Sequence, residues 1–347
     1  MKKRVLITGG AGFIGINSVR LFVKKKFEVI ILDNFSRSGT KQNIKNLFNE
    51  NLLYKKIRVI KLDLRNSEKL KTVIKKYKPN LILHLAGQVA VTTSLLNPKN
   101  DLEINILGTF NLLEACRIHS KQSLIIFSST NKVYGKISSK YKENNLRYKV
   151  SHKHSISEKT NLDFYSPYGC SKGAADQYVR DYSRIYNLKT VVLRQSCIYG
   201  KHQFGIEDQG WVAWFTIAFL LKKNITVYGN GKQVRDLLYV DDLCNLFYQI
   251  YLNRNKCFGQ VFNIGGGLSN TLSLLELLQI LKNKYNLKTK ISFDKEREGD
   301  QKIFVSNNNK IKRFINWQPQ TSYQKGLDEL LLWSKLNLNL IRRALSK

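Results

Sequence analysis

The sequence predicts an α/β fold in which helices cover both faces of a doubly wound parallel sheet. Three observations support this prediction: short apolar runs alternate with segments of helical periodicity, a glycine-rich turn follows the first apolar run, and an acidic residue ends the second. Strands that alternate with helices are typical of crossover units and hence of a parallel sheet. Such sheets bind their ligands at the carboxyl ends of the strands.

The elements follow this alternation as far as residue 193. The predicted strands are residues 3–8, 27–32, 57–62, 81–85, 123–128 and 190–193, and the predicted helices are 15–26, 67–77, 101–119 and 167–187. His84 falls inside an apolar strand, which favours a core position over a ligand role. The polar segment 136–164 interrupts the alternation, and a connection of that length is typical of a lid or binding element.

Beyond residue 193 the pattern is less regular. Helices are predicted over 211–222, 240–252, 272–285 and 327–345, and strands over 226–228 and 261–264. The apolar run 211–221 is too short to span a bilayer, which takes about 20 residues of helix. Five cysteines without C-x-x-C spacing predict neither a disulfide framework nor a metal site, and they favour a reducing, cytoplasmic location.

Basic residues dominate the charge. The chain has 58 Lys and Arg against 25 Asp and Glu, which gives a formal net charge of +33. A surplus of this size is typical of proteins that bind polyanions. The lysines are scattered rather than clustered, however, and the chain is also rich in Asn and Ile, as a biased base composition produces. We therefore predict no nucleic acid or membrane partner and interpret most of the surplus as solvated surface.

The glycine-rich turn between the first strand and the first helix predicts a dinucleotide site. Gly9, Gly12 and Gly15 permit a tight turn, the close approach of a pyrophosphate to bare backbone, and close packing of helix against strand. The amino end of the helix directs N–H groups at the phosphates. Asp33 ends the second strand, where it accepts hydrogen bonds from ribose hydroxyls and repels a 2′-phosphate. This favours NAD, while Arg37 nearby leaves NADP as the alternative.

Tyr168 and Lys172 are four residues apart in a predicted helix and therefore share one face. A free tyrosine has a pKa of about 10 and is a poor base at neutral pH. A neighbouring ammonium and a positive nicotinamide favour the phenolate. With Thr130 at the end of a strand and a dinucleotide fold upstream, this spacing indicates a catalytic set.

Four motifs carry a resemblance that extends over nearly the whole chain. They are Thr8-Gly-x-x-Gly-Phe-Ile-Gly15, Ser128-Ser-Thr-Asn-Lys-Val-Tyr-Gly135, Tyr168-x-x-x-Lys172, and Arg235-Asp236 with Val240-Asp-Asp242. Together they resemble the extended short-chain dehydrogenase/reductases, specifically their nucleotide-sugar epimerases and dehydratases. The resemblance implies a Rossmann-type fold, NAD and a nucleotide-diphosphate sugar. It also implies that Thr130 and Tyr168 hold and deprotonate a sugar hydroxyl and that Lys172 binds the nicotinamide ribose.

Sharper segments narrow the resemblance within that family. Residues 87–94, 129–135, 166–178 and 208–215 look like those of 2-epimerases that act on CDP-sugars. The family's dehydratases place Asp-Glu directly after the catalytic Thr, because elimination of water needs an acid and a base beside the sugar. Asn131 and Lys132 occupy those positions here. Redox epimerisation needs only one base and a hydride acceptor, which Tyr168 and NAD supply.

The predicted function is therefore that of an isomerase, an NAD-dependent nucleotide-sugar epimerase. It oxidises the sugar transiently to a keto-sugar and returns the hydride to the other face. Two alternatives remain: a 4-epimerase or dehydratase of another nucleotide sugar, and a non-catalytic dinucleotide- or RNA-binding protein of the same fold. We predict a NAD-binding domain over residues 1–193, to which the segment 235–264 returns, and a smaller substrate-binding region over 194–347.

The resemblance and the topology together assign residues to each ligand. Predicted cofactor contacts are Gly9, Gly12, Phe13, Ile14, Gly15, Asp33, Asn34, Ser36, Arg37, Asp63, Leu64, Leu85, Ala86, Gln88, Asn105, Tyr168, Lys172 and Gln195. Predicted substrate contacts are Gln88, Thr130, Asn131, Arg235, Arg297 and Asp300. Cys197 stands where many relatives have Asn. The family also implies a homo-oligomer, a dimer or tetramer, formed through helices 101–119 and 167–187.

Overall fold

The computed structural model describes residues 3–49, 56–137, 141–286 and 288–345. Its strands are β1 (Arg4–Thr8), β2 (Glu28–Asp33), β3 (Ile57–Lys61), β4 (Leu81–His84), β5 (Leu124–Thr130), β6 (Ser155–Ile156), β7 (Lys189–Gln195), β8 (Cys197–Tyr199), β9 (Ile225–Tyr228), β10 (Val234–Tyr239), β11 (Gln260–Ile264), β12 (Thr271–Ser273), β13 (Ile291–Asp294) and β14 (Ile303–Ser306).

The helices complete the layers. They are α1 (Phe13–Lys24), α2 (Thr40–Asn49), α3 (Ser67–Tyr77), α4 (Val91–Leu96), α5 (Pro98–Leu102), α6 (Gly108–His119), α7 (Ser166–Tyr186), α8 (Trp211–Leu221), α9 (Val240–Leu252), α10 (Arg254–Cys257), α11 (Leu274–Asn283), α12 (Asn309–Ile315), α13 (Tyr323–Leu336) and α14 (Leu338–Leu345). No helix among the described residues is long and apolar enough to cross a membrane.

Seven parallel strands form the central sheet in the order β11-β7-β5-β4-β1-β2-β3. The strand order reverses between β1 and β4, which is the switch point where such sheets open a crevice for ligands. Successive strand residues face opposite layers. Ile7 belongs to the core cluster that includes α1 and α9, and Leu6 belongs to the one that includes α3, α6 and α7. The predicted fold class is confirmed.

A second set of strands lies beside the central sheet. β10 pairs with β8, β12 and β14, and β14 also pairs with β6. A separate apolar cluster that includes residues of α8, α11 and α13 covers these strands. Of the segment 235–264, α9 packs on α1 and β11 joins the central sheet, whereas β10 is a strand of the second sheet. Within the polar segment 136–164, β6 extends the second sheet, and residues 138–140 lie outside the described residues.

Several element boundaries differ from the sequence prediction. The predicted helix 101–119 is α5, a π-helical turn over Glu103–Leu107, and α6. The predicted terminal helix 327–345 is divided into α13 and α14, and its break falls at Asn337. α2 has no counterpart in the prediction because its buried face is largely polar: Thr40 and Asn43 are buried beside Leu47. The Asn43 amide donates to the Ala11 carbonyl at 3.1 Å, so a polar tertiary contact adds to the packing of Ile44 and Leu47 on the core.

Candidate active site

A cavity of about 510 Å³ opens at the carboxyl ends of the central strands and extends into the second region. Central-domain residues that line it include Phe13, Ile14, Leu85, Thr130, Asn131, Lys132, Tyr168, Lys172 and Gln195. The second region contributes residues that include Cys197, Trp211, Thr226, Tyr228, Arg235, Arg297 and Asp300. One cavity therefore joins the predicted nicotinamide side of the cofactor site to the predicted substrate site.

Bare backbone forms the predicted pyrophosphate site. Gly9 has a φ of +66°, and a Cβ there would lie 2.8 Å from the Ala86 nitrogen. A Cβ on Gly15 would collide with the Gly9 carbonyl oxygen, whereas one on Gly12 would meet only that oxygen, at 3.1 Å. No side chain caps the start of α1 at Gly12, so the first turn of the helix can offer N–H groups to an anion. The turn fits a dinucleotide phosphate.

The Asp33 carboxylate is held at the end of β2 by backbone donors. Its Oδ2 accepts from the Ala11 N–H at 3.0 Å, and its Oδ1 accepts from the Phe35 N–H at 2.8 Å. Each oxygen keeps a second acceptor site, which suits a pair of ribose hydroxyls. Burial raises the pKa of Asp33, against the opposing effect of these two bonds. Arg37 is exposed on the loop that follows β2.

Gln195 also indicates that the cofactor site accepts a polar ligand. The side chain lies at the end of β7, is 5% exposed and lines the cavity. Its Nε2 is buried with no hydrogen-bond partner among the described residues. An orphaned buried donor costs about 1–3 kcal/mol, which an acceptor on a bound ligand removes. The residues present therefore fit a dinucleotide.

The predicted catalytic residues meet inside the cavity. Tyr168 lies in the first turn of α7, and its hydroxyl is in hydrogen-bond contact with Thr130 at the end of β5. Lys172 Nζ donates to the Ser128 carbonyl oxygen at 2.6 Å and lies 4.2 Å from the centroid of the Phe127 ring. The structure thus brings together the three residues of the predicted catalytic set.

Burial shifts the pKa values of both Tyr168 and Lys172. Burial raises the pKa of Tyr168 to about 12, and the contact with Thr130 offsets only part of that rise. Burial lowers the pKa of Lys172 to about 8. The Lys172 ammonium is directed at the Ser128 carbonyl, and burial is the dominant influence on the phenol. That Lys172 and a positive nicotinamide together favour the phenolate stays a prediction.

A buried ion pair behind the catalytic residues was missed by the sequence analysis. Arg194 donates from Nε and Nη2 to the two oxygens of Asp176, at 2.9 and 3.0 Å. Ser129 Oγ donates to the same carboxylate at 2.8 Å. Asp176 follows Lys172 by one helical turn, and Ser129 directly precedes Thr130. The ion pair therefore ties α7, which carries Tyr168, to β7, and the Ser129 bond ties α7 to β5, which carries Thr130. Asp176 is four residues after Lys172, and this spacing, which places both on one face of α7, was the sequence pattern that could have indicated the ion pair.

Two predicted contacts, Gln88 and Asn105, form hydrogen bonds within the protein. Gln88 Nε2 donates to Asp101 Oδ1 at 2.7 Å and to the Ala90 carbonyl at 2.8 Å. Asn105 Nδ2 donates to Ser171 Oγ at 3.0 Å, and its Oδ1 accepts from the Gln88 N–H at 3.0 Å. These bonds hold the loop after β4 against α7, and the ligand contacts of Asn105 and Gln88 stay predictions.

Residues predicted on the adenine side form a polar cluster beyond β2 and β3. Asn34 Nδ2 donates to Asp63 Oδ2 at 2.9 Å, and Asn34 Oδ1 accepts from the Ser36 hydroxyl at 2.8 Å. The Arg65 guanidinium pairs with Asp63 and holds the pKa of that carboxyl far below its usual range. Leu64 is buried in the core beneath. The cluster lies at adjacent strand ends, as the topology predicts.

Charged residues converge at the substrate end of the cavity. Arg235 Nη2 lies 2.6 Å from Asp300 Oδ1, and Lys132 Nζ lies 3.6 Å from the same oxygen. Lys132 Nζ also donates to the Gly299 carbonyl at 3.1 Å. Burial by itself would raise the pKa of Asp300, but the two cations outweigh burial and lower it. Sequence analysis assigned Arg235 and Asp300 to this site and missed Lys132.

Arg297 and Asn131 have different surroundings. The Arg297 guanidinium lies 3.9 Å from the centroid of the Tyr228 ring and 3.3 Å from Asp208 Oδ1. Asn131 Nδ2 donates to Gln301 Oε1 at 3.0 Å, so this amide supports the loop that carries Asp300. Both residues line the cavity, but only Arg297 presents a charge there.

Cys197 lines the cavity as a neutral thiol, because burial raises its pKa to about 12. A thiol is a weak hydrogen-bond donor and offers less to a sugar hydroxyl than the Asn of many relatives. Trp211 lines the same wall, whereas Trp214 is buried in the second core. This wall therefore presents softer and more apolar groups than a typical sugar site.

His84 is a core residue, as its strand predicts. Its Nδ1 and Nε2 lie 2.8 Å from Thr8 Oγ1 and 2.9 Å from Thr109 Oγ1, respectively. Burial lowers the pKa of His84 to about 3 and that of His202 to about 2. Both imidazoles are therefore neutral in the folded protein at neutral pH.

We expect acid to destabilise the protein through these two histidines. The unfolded chain titrates them near pH 6.5, well above both folded pKa values, so it binds more protons as the pH falls below 6.5. Each histidine removes up to about 1.4 kcal/mol of stability per pH unit in that window. Urea unfolding at pH 7, 6 and 5 measures the loss. His119→Gln, at the last residue of α6, serves as the control for the loss of a histidine outside these two buried sites. A histidine signal for His84 that titrates near pH 6.5 in NMR spectra would refute the assignment.

The fold and the site define a class of protein: a dinucleotide-dependent α/β enzyme with a Thr, Tyr and Lys set that faces a cavity lined by charged side chains. The family model described as GDP-mannose 4,6 dehydratase matches residues 6–330, and the chain belongs to this family. Among curated proteins, the CDP-paratose 2-epimerase of Salmonella typhi is 44% identical over 338 residues, which cover 95% of this chain and 99% of that protein.

Solved structures agree with this assignment. A UDP-glucose 4-epimerase from Thermotoga maritima, solved with UDP-glucose, has a TM-score of 0.81 and 28% identity and covers 96% of this chain and 99% of its own. A dTDP-glucose 4,6-dehydratase from Streptomyces venezuelae, solved with NAD, has a TM-score of 0.82 and 27% identity and covers 97% and 98%. The matches confirm the predicted family, isomerase class and cofactor, NAD.

Proposed function

We propose that this protein is a CDP-paratose 2-epimerase, also called CDP-tyvelose 2-epimerase, that works with a retained NAD⁺. The observation that carries the proposal is the pair that follows Thr130. Asn131 and Lys132 take the places where the family's dehydratases have an acid and a base. Asp300, the nearby carboxylate, is paired with Lys132 and Arg235 and has a lowered pKa, so it is unsuited to protonate a leaving hydroxyl. The 44% identity with the Salmonella typhi enzyme over 95% of the chain supports the choice of substrate.

The chain's own groups account for the proton transfer. When bound, NAD⁺ supplies the hydride acceptor and a positive charge beside the phenol. Tyr168 takes the proton of the sugar hydroxyl, and Thr130, already in contact with Tyr168, orients that hydroxyl. Lys172, held on the Ser128 carbonyl, provides an ammonium for the nicotinamide ribose. The keto-sugar then presents its other face and recovers the hydride, with Tyr168 returning the proton.

The cationic end of the cavity suits a nucleoside diphosphate. Arg235, Arg297 and Lys132 line it. Arg297 also lies over the Tyr228 ring, so both side chains are held in place by packing. Such cations attract a diphosphate and bind its oxygens by charge-assisted hydrogen bonds. We assign the diphosphate to this group of three residues.

The test is direct turnover. Purified protein is incubated with CDP-paratose, UDP-glucose or dTDP-glucose, and the anomeric and C2 proton signals are followed by NMR. We expect an equilibrium mixture of the two C2 epimers from CDP-paratose alone. Unchanged CDP-paratose signals would overturn the proposal. Turnover of UDP-glucose or dTDP-glucose instead would identify the protein as a 4-epimerase or a dehydratase.

We further propose that the protein is a homodimer. Apolar side chains are exposed on the outer faces of α6, α7 and the turn before α6; they include Leu107 (41%), Phe110 (37%), Ile118 (54%), Tyr178 (45%) and Ile185 (67%). Phe110 and Tyr178 are in edge contact across the two helices, with ring centroids 6.1 Å apart. An exposed apolar face of this kind is typical of a protein interface, and a second copy presents the same face.

A charge placed in that face is expected to separate the subunits. Phe110→Glu buries a carboxylate at the contact, so light scattering on a sizing column should give the 40.2 kDa chain mass instead of twice that value. Leu252→Glu, an exposed leucine on α9, is the matched control and should leave the dimer intact. A wild-type protein that elutes as a monomer at micromolar concentration would refute the proposal.

A further inference from the structure

Lys132 is tied closely to the catalytic residues, although its side chain belongs to the substrate end. It lies in the 3₁₀ turn Asn131–Tyr134, and its backbone N–H donates to Thr130 Oγ1 at 3.2 Å. The side chain is 19% exposed, and its ammonium is held by the Gly299 carbonyl and Asp300. The backbone of Lys132 is therefore anchored to Thr130, and its ammonium is held by the loop that carries Gly299 and Asp300.

The cations around Lys132 are not fully paired with carboxylates, which favours the binding of an anion. Lys132 and Arg235 share the single carboxylate of Asp300. Within this group two cations share one carboxylate, in a partly buried place where water screens charge weakly. The other carboxylates that line the cavity are Glu207, Asp208 and Glu298. Arg297 is paired separately with Asp208. A phosphate oxygen would provide a second anionic partner for Lys132 and Arg235.

The chemistry of the sugar explains why such a cation is needed here, on the basis of the proposed function. C2 is bonded directly to the anomeric carbon that carries the diphosphate, whereas C4 lies across the ring. When C2 is oxidised, the phosphate attached to the sugar must lie close to Tyr168 and Thr130. When C4 is oxidised, that phosphate lies farther from them. An enzyme acting at C2 therefore needs a cation beside its catalytic pair.

We propose that Lys132 binds the sugar-linked phosphate and so positions C2, rather than C4, against Tyr168 and Thr130. In this role Lys132 is a positioning and specificity-determining residue. Arg235, which pairs with the same Asp300 oxygen, lies beside it and is placed to donate to the same phosphate. The ammonium of Lys132 takes up the phosphate oxygen as a third partner beside Gly299 and Asp300, which an ammonium with three donors allows.

The test compares two nucleotides that differ by one phosphate. Calorimetry measures the affinity of the NAD-loaded protein for CDP and for CMP in wild type, Lys132→Met and Lys132→Arg. Lys136→Met removes a lysine of the same segment that is exposed and lies over the Tyr165 ring, and it serves as the matched control. Lys132 meets only the second phosphate, so Lys132→Met should weaken CDP binding about 10- to 100-fold and leave CMP binding unchanged. Lys132→Arg should restore part of the loss, and Lys136→Met should change neither affinity.

Two results would overturn the inference. In one, Lys132→Met binds CDP as tightly as wild type does. In the other, it loses CDP and CMP affinity equally, which indicates a general structural role. The proposed function fails differently: wild-type protein would then prefer a uridine or thymidine nucleotide over CDP. The same comparison of diphosphate with monophosphate would be made with that base, and its outcome would decide the role of Lys132.

Discussion

Tyr168→Phe is expected to lower kcat for CDP-paratose by about 10²- to 10⁴-fold, the range that a positioned acid–base group contributes. The variant removes the one hydroxyl that we assign to the proton transfer and leaves the buried ring in place. Its packing and its contact with the cofactor site persist, so stability and NAD content should remain close to those of wild type. Single-turnover NMR measures the rate, and the absorbance of dinucleotide released on denaturation measures NAD.

Tyr186→Phe is the matched control for this variant. It removes a tyrosine hydroxyl from the same helix at an exposed site, 40% accessible, outside the cavity. Its rate and NAD content should equal those of wild type. If Tyr168→Phe retained more than a tenth of wild-type kcat, Tyr168 would not be the base. Loss of NAD together with activity would indicate a binding defect in place of a catalytic one.

Arg194→Met is expected to destabilise the protein by about 3–5 kcal/mol, because it leaves the Asp176 carboxylate buried without its partner. Arg194 and Asp176 are 3% and 0% exposed, and the pair is bidentate. Replacing both residues, as Arg194→Met with Asp176→Leu, should recover part of the loss, because no charge is then stranded. Urea unfolding of the NAD-loaded protein measures each difference.

A surface pair of the same residue types provides the control. Arg184 and Asp181 are three residues apart on α7 with their charged atoms 4.0 Å apart, and both are more than half exposed. Arg184→Met should cost less than about 1 kcal/mol, as exposed pairs do. An equal cost for the two Arg variants would show that burial of the Arg194 pair has no energetic consequence and would contradict our description of the site.

Sequence reasoning succeeded where the chemistry is local. The turn around Gly9 and Gly15 is dictated by backbone crowding within a few residues, and the spacing of Tyr168 and Lys172 places them on one helical face in any fold. Their meeting with Thr130 follows from parallel strands that end at one edge of the sheet. These features, together with the central sheet, could therefore be read from the chain alone.

Sequence reasoning failed where a side chain finds its partners through tertiary contacts. The side chains of Gln88 and Asn105 bond to Asp101 and Ser171, partners that no sequence pattern indicates. The sequence analysis used Lys132 only as a sign that the carboxylate of the dehydratases is missing. Its pairing with Asp300 was not predicted, because Asp300 lies on a loop about 170 residues later. The helix α2 was missed although Ile44, Leu47 and Phe48 have helical spacing, because polar residues, Thr40 and Asn43, occupy the rest of its buried face.

The central claim is that one hydride leaves C2 of the sugar and returns to the same carbon from the other face. The fate of a deuterium label at C2 tests it most directly. CDP-paratose carrying deuterium at C2 is converted in ordinary water, and unlabelled CDP-paratose is converted in deuterium oxide. We expect the epimer to keep the deuterium at C2 in the first experiment and to acquire no deuterium at C2 in the second. Loss of the C2 label to water, or uptake of solvent deuterium at C2, would show that C2 is deprotonated and would contradict the redox mechanism.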